Sequence, residues 1–246
     1  MILSENRCPS RIKSGTGIFG IMLSTGMAMA DYAQARRVMV DRQVRTADVT
    51  DLRIISALLE VPREMFVPAA RRAIAYLDLD VPVNEGGRAL LKPMVFAKLL
   101  QATGIGATDR VLDVGCATGY SAGVLAKLAG EVVALEEDAA MARAASETLA
   151  QIDAKNLSVV SGALAAGWAE RAPYDVIVLE GAAEVVPDSL LSQLKIGGRL
   201  VAVVGFGPMG KATLYRRAGA RATAQPVFDA AAPPLPGFAK PAAFVF

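Results

Sequence analysis

The sequence predicts an α/β fold with a mostly parallel, doubly wound sheet and an N-terminal helical lead-in. From Arg110 onward, short apolar runs alternate with segments of helical periodicity. The run Val176–Leu179 is continuously apolar, which is typical of a parallel strand covered on both faces. A glycine-rich turn at residues 115–119 follows the first of these strands and leads into a helix. Together these observations predict a ligand crevice at the carboxyl ends of the strands.

Composition narrows the classes of function. The chain has 246 residues, 53% of them apolar and 20% charged, so it can bury a sizeable core. The net charge of +2 comes entirely from residues 1–30, and the neutral remainder argues against a nucleic-acid surface. Histidine is absent, which excludes imidazole relays and histidine metal sites. The only cysteines, Cys8 and Cys116, allow no disulfide framework and no cysteine zinc site, so we expect a cytoplasmic protein without a metal.

The N-terminal 30 residues differ from the rest of the chain. We interpret residues 1–30 as a leader or an upstream extension, with Met27 or Met29 as the natural start, and expect them to be poorly ordered. Their apolar run is short and interrupted by glycine, and no transmembrane span is predicted anywhere. The remaining residues are expected to form one domain with three parts: a helical lead-in at 31–92, a cofactor-binding core at 93–205 and a C-terminal sheet edge at 206–246.

Helix and strand signals follow in order. Asp31 and Asp51 are suitable N-caps for two helices, and Pro93 suits the first residue of a third. The predicted strands are Val111–Val114, Glu131–Glu136, Leu157–Val160, Tyr174–Glu180 and Arg199–Val204. The predicted helices between them are Ser121–Leu128, Ala139–Leu149 and Asp188–Leu194. The pieces Thr213–Arg217, Val227 and Ala243–Phe246 are expected to complete one edge of the sheet.

The glycine turn distinguishes two classes of ligand. Gly115 and Gly119 allow a tight turn and close approach of a ligand to the backbone. A dinucleotide fingerprint would place glycine at 115, 117 and 120, whereas this chain has Ala117 and Tyr120. The spacing therefore favours S-adenosylmethionine over NAD.

An acid at the end of the next strand supports the same ligand. Glu136 follows Asp113 by 23 residues and closes an apolar strand, where its carboxylate can accept both ribose hydroxyls. The alternative is an ordinary βαβ unit with a solvated acidic corner at 136–138. The predicted cofactor-binding residues are Asp113, Gly115, Cys116, Ala117, Gly119, Tyr120, Glu136, Glu137, Gly162 and Ala163.

Several further blocks carry a family resemblance across residues 38–205. They are Val61–Pro68, Ala75–Asp78, Asp113–Ser121, Pro173–Val178, Pro187, Gln193–Lys195 and Gly197–Val201. With them the chain resembles the protein-L-isoaspartate O-methyltransferases. The resemblance implies a Rossmann-like S-adenosylmethionine-dependent methyltransferase fold. It also implies methyl transfer to a carboxylate of damaged aspartyl residues, hence a protein or peptide substrate and a role in protein repair.

The departures from that family fall at positions that face the ligands. The family typically has Thr-Ile-Ser-Gln-Pro before the helix that begins at Pro93, with its serine at the reaction centre. Here Leu91 stands at the serine position and Ala89 at the threonine position, so the catalytic residue is unknown. Ala163 replaces an acid that contacts the adenine amine in the family, which removes one hydrogen bond. Ala117 replaces a glycine of the cofactor turn.

Charged residues near this position suggest how a substrate is held. Arg88 and Lys92 can attract a carboxylate substrate, although a solvated basic pair at a helix start is the interpretation we favour. Glu180, at the carboxyl end of the fourth predicted strand, is expected either to orient an amine or the cofactor or to cap a neighbouring helix.

Three functions remain open on the sequence. The first is a carboxyl methyltransferase of the isoaspartyl type, with a protein or peptide substrate. The second is a family member that has lost this activity and acts on another acceptor or as a non-catalytic binding module. The third is a nucleic-acid or small-molecule methyltransferase. A nucleic-acid substrate has the least support, because residues 180–183 lack the Asn/Asp-Pro-Pro-aromatic motif of base methyltransferases and the chain beyond residue 30 has no net charge. The oligomeric state is not predicted.

Overall fold

A computed structural model describes residues 27–240 of the chain. The N-terminal leader as far as residue 26 and the predicted piece Ala243–Phe246 lie outside the described residues. The first helix, α1, spans Met27–Met39, so the predicted boundary at residue 30 falls inside it. The expectation that Asp31 caps this helix is wrong, because the backbone is already helical four residues earlier. Among residues 27–240, no helix has the length and apolarity needed to cross a membrane.

The lead-in is mostly helical, as predicted. A π-helical turn and a 3-10 turn continue α1, at Val40–Val44 and Arg45–Ala47. Helix α2 spans Leu52–Glu60, and the side chain of Asp51 accepts a hydrogen bond from the backbone N–H of Arg53, which confirms the predicted cap. Two further 3-10 turns follow, at Arg63–Phe66 and Ala69–Ile74.

A small hairpin between the lead-in and the core was not predicted. Strands β1 (Val81–Pro82) and β2 (Ala89–Leu90) pair antiparallel over two residues each. Strands this short leave no alternating pattern in the sequence. Helix α3 then spans Pro93–Thr103 with Pro93 as its first residue, as predicted.

The centre of the molecule is a seven-stranded sheet, and all five predicted core strands are present in it. Its strands are β3 (Arg110–Val114), β4 (Glu131–Glu136), β5 (Leu157–Ser161), β6 (Tyr174–Ala183), β7 (Leu194–Val204), β8 (Lys211–Ala218) and β9 (Arg221–Asp229). The order is β5-β4-β3-β6-β7-β8-β9, parallel as far as β7 and antiparallel from there. The predicted C-terminal edge is therefore confirmed for Thr213–Arg217 and Val227.

The helices between the strands begin close to the predicted residues. They are α4 (Tyr120–Ala126), α5 (Ala139–Ala150) and α6 (Asp188–Leu191). Helix α6 is shorter than predicted because Leu194 already pairs with Tyr174 in the sheet. Apolar side chains cover the sheet on both faces, in two buried clusters.

The strand order fixes where a ligand crevice belongs. From β3 the chain proceeds outward through β4 to β5 and then returns to place β6 on the other side of β3. Such a reversal opens a crevice beyond the carboxyl ends of the strands on either side of it. The residues that follow β3, β4 and β6 therefore meet at one place.

Candidate functional site

The glycine turn connects β3 to α4 in the predicted position. Gly115 and Gly119 both have positive φ, 82° and 96°, which favours glycine. Ala117 also lies in the left-handed region, with φ 50°. Alanine rarely adopts this conformation, and here it stands where the family has a glycine. The backbone N–H of Gly119 donates to the carbonyl of Cys116 at 2.8 Å and closes the turn.

Asp113 lies under the turn and is fully buried. Its Oδ2 accepts a hydrogen bond from the hydroxyl of Ser121 at 2.7 Å, and its Oδ1 has no hydrogen-bond partner among residues 27–240. Burial, reinforced by the nearby Glu136 and opposed by the Ser121 hydrogen bond, raises the pKa of Asp113 to about 7. This carboxyl group is therefore poised between its neutral and charged forms near neutral pH.

Glu136 closes β4 beside the turn, but another side chain of this protein already engages it. Nη1 and Nη2 of Arg88 each donate to one carboxylate oxygen of Glu136 at 3.0 Å, and Nη2 also donates to the carbonyl of Gly115 at 2.8 Å. Both side chains are buried. The interpretation of Arg88 as a solvated surface charge is therefore wrong, because the β1–β2 hairpin directs it into the crevice. The solvated acidic corner is wrong for Glu136 as well, although Glu137 is exposed.

Backbone groups complete the shell around Glu136. Oε2 accepts a hydrogen bond from the N–H of Ala117 at 2.8 Å. Oε1 accepts from the N–H groups of Glu137 and Asp138 at 3.1 and 3.2 Å. With the two bonds from Arg88, this carboxylate accepts five hydrogen bonds, which exceeds the about four lone-pair positions that it offers.

A second arginine, which was not among the predicted site residues, lies at the same crevice. Arg63 is fully buried; its Nε and Nη2 donate to the carbonyls of Ala75 and Leu91, both at 2.7 Å. Its guanidinium carbon lies 4.7 Å from the centroid of the Tyr120 ring, and burial lowers its pKa. Its Nη1 lacks a hydrogen-bond partner within the described part of the chain. Its position inside the Val61–Pro68 block, which carries the family resemblance, is the sequence feature that could have identified it as a site residue.

Glu180 faces the same space from β6. The strand pairing is irregular between Val178 and Ala182, and the Glu180 side chain is buried there. Burial, together with the charge of Asp113, raises the pKa of Glu180 well above its usual value. Its Oε1 has no partner among the described residues, and its side chain caps no helix there, so the capping interpretation is not supported.

Only a small space remains between these groups. A cavity of about 10 Å³ lies beside the turn, with room for about one water molecule. Its lining includes Arg63 and Leu91, Cys116 of the turn, Tyr120 at the start of α4 and Glu180 of β6. Leu91 is buried, so the family's serine position is filled by an apolar side chain.

Three other predicted site residues, Lys92, Gly162 and Ala163, do not line this cavity. Lys92 is half-buried, and its backbone N–H donates to Asp80 at 2.9 Å. A Cβ added to Gly162 would lie 3.2 Å from the Trp168 ring, and Ala163 is exposed beside it. Cys116 is buried, and burial raises the pKa of its thiol well above the usual value. Within residues 27–240, no group of three or more metal-ligating side chains occurs.

The C-terminal segment covers the turn, which the sequence analysis did not anticipate. After β9 the chain returns to the end of β6, where the N–H of Leu235 donates to the carbonyl of Ala182 at 2.8 Å. Leu235 is buried, and its Cδ2 lies 2.9 Å from where a Cβ on Gly115 would be. Residues 230–240, which are rich in proline and alanine, therefore do not extend the predicted sheet edge but cross the crevice.

Comparison with solved structures places this architecture among known folds. A protein-L-isoaspartate O-methyltransferase superimposes with a TM-score of 0.70 at 23% identity, over 81% of this chain and 64% of the other. A Plasmodium falciparum protein described as a protein-L-isoaspartate O-methyltransferase in complex with S-adenosyl-L-homocysteine superimposes with a TM-score of 0.68 at 17% identity. That match covers 82% of this chain and 96% of the other. These likenesses establish a Rossmann-like methyltransferase fold.

Sequence comparison identifies the family. The model of the family "Protein-L-isoaspartate(D-aspartate) O-methyltransferase (PCMT)" matches residues 34–229. Protein-L-isoaspartate O-methyltransferase 1 of Geotalea uraniireducens is 38% identical over 178 residues, 72% of this chain and 81% of the relative. The protein-L-isoaspartate O-methyltransferase of Rhodopseudomonas palustris is 40% identical over 167 residues, 68% of this chain and 76% of the relative. The chain belongs to the protein-L-isoaspartate O-methyltransferase family.

Proposed function

We propose that this chain is an S-adenosylmethionine-dependent carboxyl methyltransferase that acts on damaged aspartyl residues of proteins or peptides. Enzymes of this family use S-adenosylmethionine. The observation that carries the proposal is the glycine turn after β3 with the buried carboxylate of Glu136 beside it, in a chain 38% identical to named isoaspartyl methyltransferases. A carboxylate at this strand end is the group that binds a ribose diol in nucleotide-binding α/β folds.

The polar groups of the site suit S-adenosylmethionine, but the free volume beside the turn is too small for it. Glu136 provides the acid for the ribose, and Asp113 with the turn provides polar groups for the remainder of the nucleoside. When bound, S-adenosylmethionine supplies an electrophilic methyl group. In the arrangement described here, Arg88 holds Glu136 and Leu235 lies on Gly115, so a nucleoside does not fit beside the turn.

The acceptor side can attract a carboxylate. The Nη1 group of Arg63 lacks a partner among the described residues and is the cation available to an acceptor carboxylate. An ionised Asp113 or Glu180 would repel that acceptor, but burial raises the pKa of both and so favours their neutral forms. A carboxylate acceptor is already deprotonated at neutral pH, so this reaction does not require a histidine base.

Leu91 decides how well an acceptor is oriented. Since the family's serine is absent, the chain lacks a hydroxyl that would fix the acceptor carboxylate. Labelled S-adenosylmethionine, incubated with an isoaspartyl peptide and with its aspartyl counterpart, tests the proposal. We expect slow, isoaspartyl-specific transfer by the parent and at least tenfold faster transfer by Leu91→Ser. Leu90→Ser is the matched control, because Leu90 is also buried and adjacent. No transfer by either the parent or Leu91→Ser, with donor binding intact, contradicts the proposal.

A non-catalytic role is the second candidate, and one observation favours it. The buried pair of Arg88 and Glu136 fills the position where a ribose would bind. A chain in which this pair never opens would serve as a binding module. Calorimetry with S-adenosylmethionine and with S-adenosylhomocysteine separates the two functions. No affinity at millimolar ligand, in the parent and in variants that free Glu136, favours the binding module.

We also propose a cytoplasmic location. The support is the low cysteine content, two residues in 246, which suits a reducing compartment better than an oxidising one. Fractionation of the native host, with a labelled full-length chain, tests this.

A further inference from the structure

We infer that Arg88 and Leu235 are built-in occupants of the donor site and that a nucleoside donor binds only after displacing both side chains. The identity of the ligand rests on the proposed function. Two groups of contacts, one at Glu136 and one at Gly115, support the occupation of the site by these side chains.

The first group concerns hydrogen bonding at Glu136. Nη1 and Nη2 of Arg88 each donate a hydrogen bond to one carboxylate oxygen of Glu136. A ribose diol would need the same bidentate geometry. Three backbone N–H groups bind the same oxygens from the protein side. The carboxylate has no acceptor capacity left for two ribose hydroxyls, so Arg88 has to leave before they can bind.

The second group concerns space above the turn. Gly115 has no side chain, and in this fold its open face is where a ligand approaches the backbone. A Cβ built there would lie 2.9 Å from Cδ2 of Leu235 and 3.0 Å from Nη2 of Arg88. The free space in this region is a cavity of about 10 Å³. Leu235 therefore takes up the volume that a ligand against Gly115 would need.

The segment that carries Leu235 is fixed to β6. Backbone hydrogen bonds join Ala182 to Pro233 and Leu235, at 2.7 and 2.8 Å, and join Glu184 to Phe238 at 3.0 Å. Gly181 permits this contact, because a Cβ there would lie only 2.6 Å from Cγ of Leu235. The residues from 230 onward lie beyond the part of the chain that matches the family model.

The segment that carries Arg88 can move without disturbing the sheet. Arg88 directly precedes β2, in a hairpin that is separate from the seven-stranded sheet and has only two paired residues on each strand. The connecting residues 85–87 are exposed. Withdrawal of Arg88 breaks the ion pair and the bond to the Gly115 carbonyl, and it leaves the strands that position Glu136 intact.

Titration calorimetry with S-adenosylhomocysteine tests the inference on full-length protein. The variants are Arg88→Ala, Leu235→Ala and their combination. We expect each single variant to bind more tightly than the parent and the combination to bind at least tenfold more tightly. Arg199→Ala is the matched control, because Arg199 pairs with Asp109 at the opposite end of the strands from the crevice and is also mostly buried. It should bind with the parent's affinity.

Three results decide the outcome. Tighter binding by the combined variant, with Arg199→Ala unchanged, supports the inference. Equal or weaker binding by the combined variant overturns it, as does absence of binding in every protein at millimolar ligand. If Arg88→Ala does not fold, as judged by circular dichroism, Arg88→Gln takes its place with the same expected gain. Failure of methyl transfer by a variant that binds tightly would count against the proposed function alone.

Discussion

The hydroxyl of Ser121 donates a hydrogen bond to Oδ2 of Asp113 at 2.7 Å, and this bond is the only one that the Asp113 carboxyl receives from the described residues. One hydrogen bond does not compensate for complete burial of a carboxylate, so the pKa of Asp113 stays high. Asp113, near the end of β3 and beneath the glycine turn, is therefore partly protonated near neutral pH. This proton has consequences for stability that can be measured.

The first prediction is a pH dependence of unfolding. The folded-state pKa of Asp113, about 7, lies above the unfolded value of about 4, so the folded state binds the proton more tightly. Its contribution to stability is complete below pH 4 and is lost as pH rises through 7. We expect the parent to lose on the order of 3 kcal/mol of unfolding free energy over this range through Asp113. Asp113→Asn should lose markedly less.

Urea unfolding at pH 5, 6, 7 and 8 measures this difference. Glu180 shifts in the same direction, so a residual slope is expected in Asp113→Asn. The control is Asp175→Asn, because the pKa of Asp175 is lowered and its contribution to stability is lost at acid pH instead. Parallel curves for the parent and Asp113→Asn between pH 5 and 8 would contradict the burial of a protonated Asp113.

The second prediction concerns Cys116. This thiol is buried in the turn, and burial raises its pKa well above the usual value, so almost no thiolate forms at pH 8. In a Cys8→Ser background, we expect Cys116 to react with iodoacetamide at least a hundredfold more slowly in the native protein than in urea. Mass spectrometry of timed samples gives both rates. Native labelling at the unfolded rate would show that the turn is open to solvent.

The third prediction tests the cover over the crevice. In Gly181→Ala, the new Cβ would meet Leu235 Cγ at 2.6 Å and the Pro233 carbonyl oxygen at 2.8 Å, so the C-terminal segment has to shift. We expect faster proteolytic cleavage between residues 230 and 240 and a loss of about 1–3 kcal/mol of unfolding free energy.

Gly106→Ala is the control for that experiment. Its Cβ would approach only the Asp109 side chain, no closer than 3.3 Å, and Gly106 lies at the opposite end of β3 from the crevice. Limited proteolysis followed by mass spectrometry compares the two variants. Cleavage of Gly181→Ala at the parent's rate would mean that the segment does not depend on contact with Gly181.

Local patterns predicted the framework well. The cap at Asp51 and the helix start at Pro93 depend on residues that are adjacent in sequence, and both were predicted correctly. The apolar strands were predicted because burial on both faces leaves a continuous apolar run. The hairpin at β1 and β2 was missed, since two-residue strands have no period. The end of α6 was misplaced because sheet pairing at Leu194 outweighs helical periodicity.

The sequence by itself determined the architecture, the position of the ligand turn and the family. Each of these depends on the spacing of residues over short stretches, and that spacing can be read from the sequence. The tertiary structure decided which groups occupy the site. Arg88 reaches Glu136 across 48 positions, and Leu235 returns to Gly115 across 120, so no local pattern could have paired them. Because these contacts depend on how the hairpin and the C-terminal segment fold back over β3 and β4, only the folded chain reveals that Arg88 and Leu235 lie against the glycine turn.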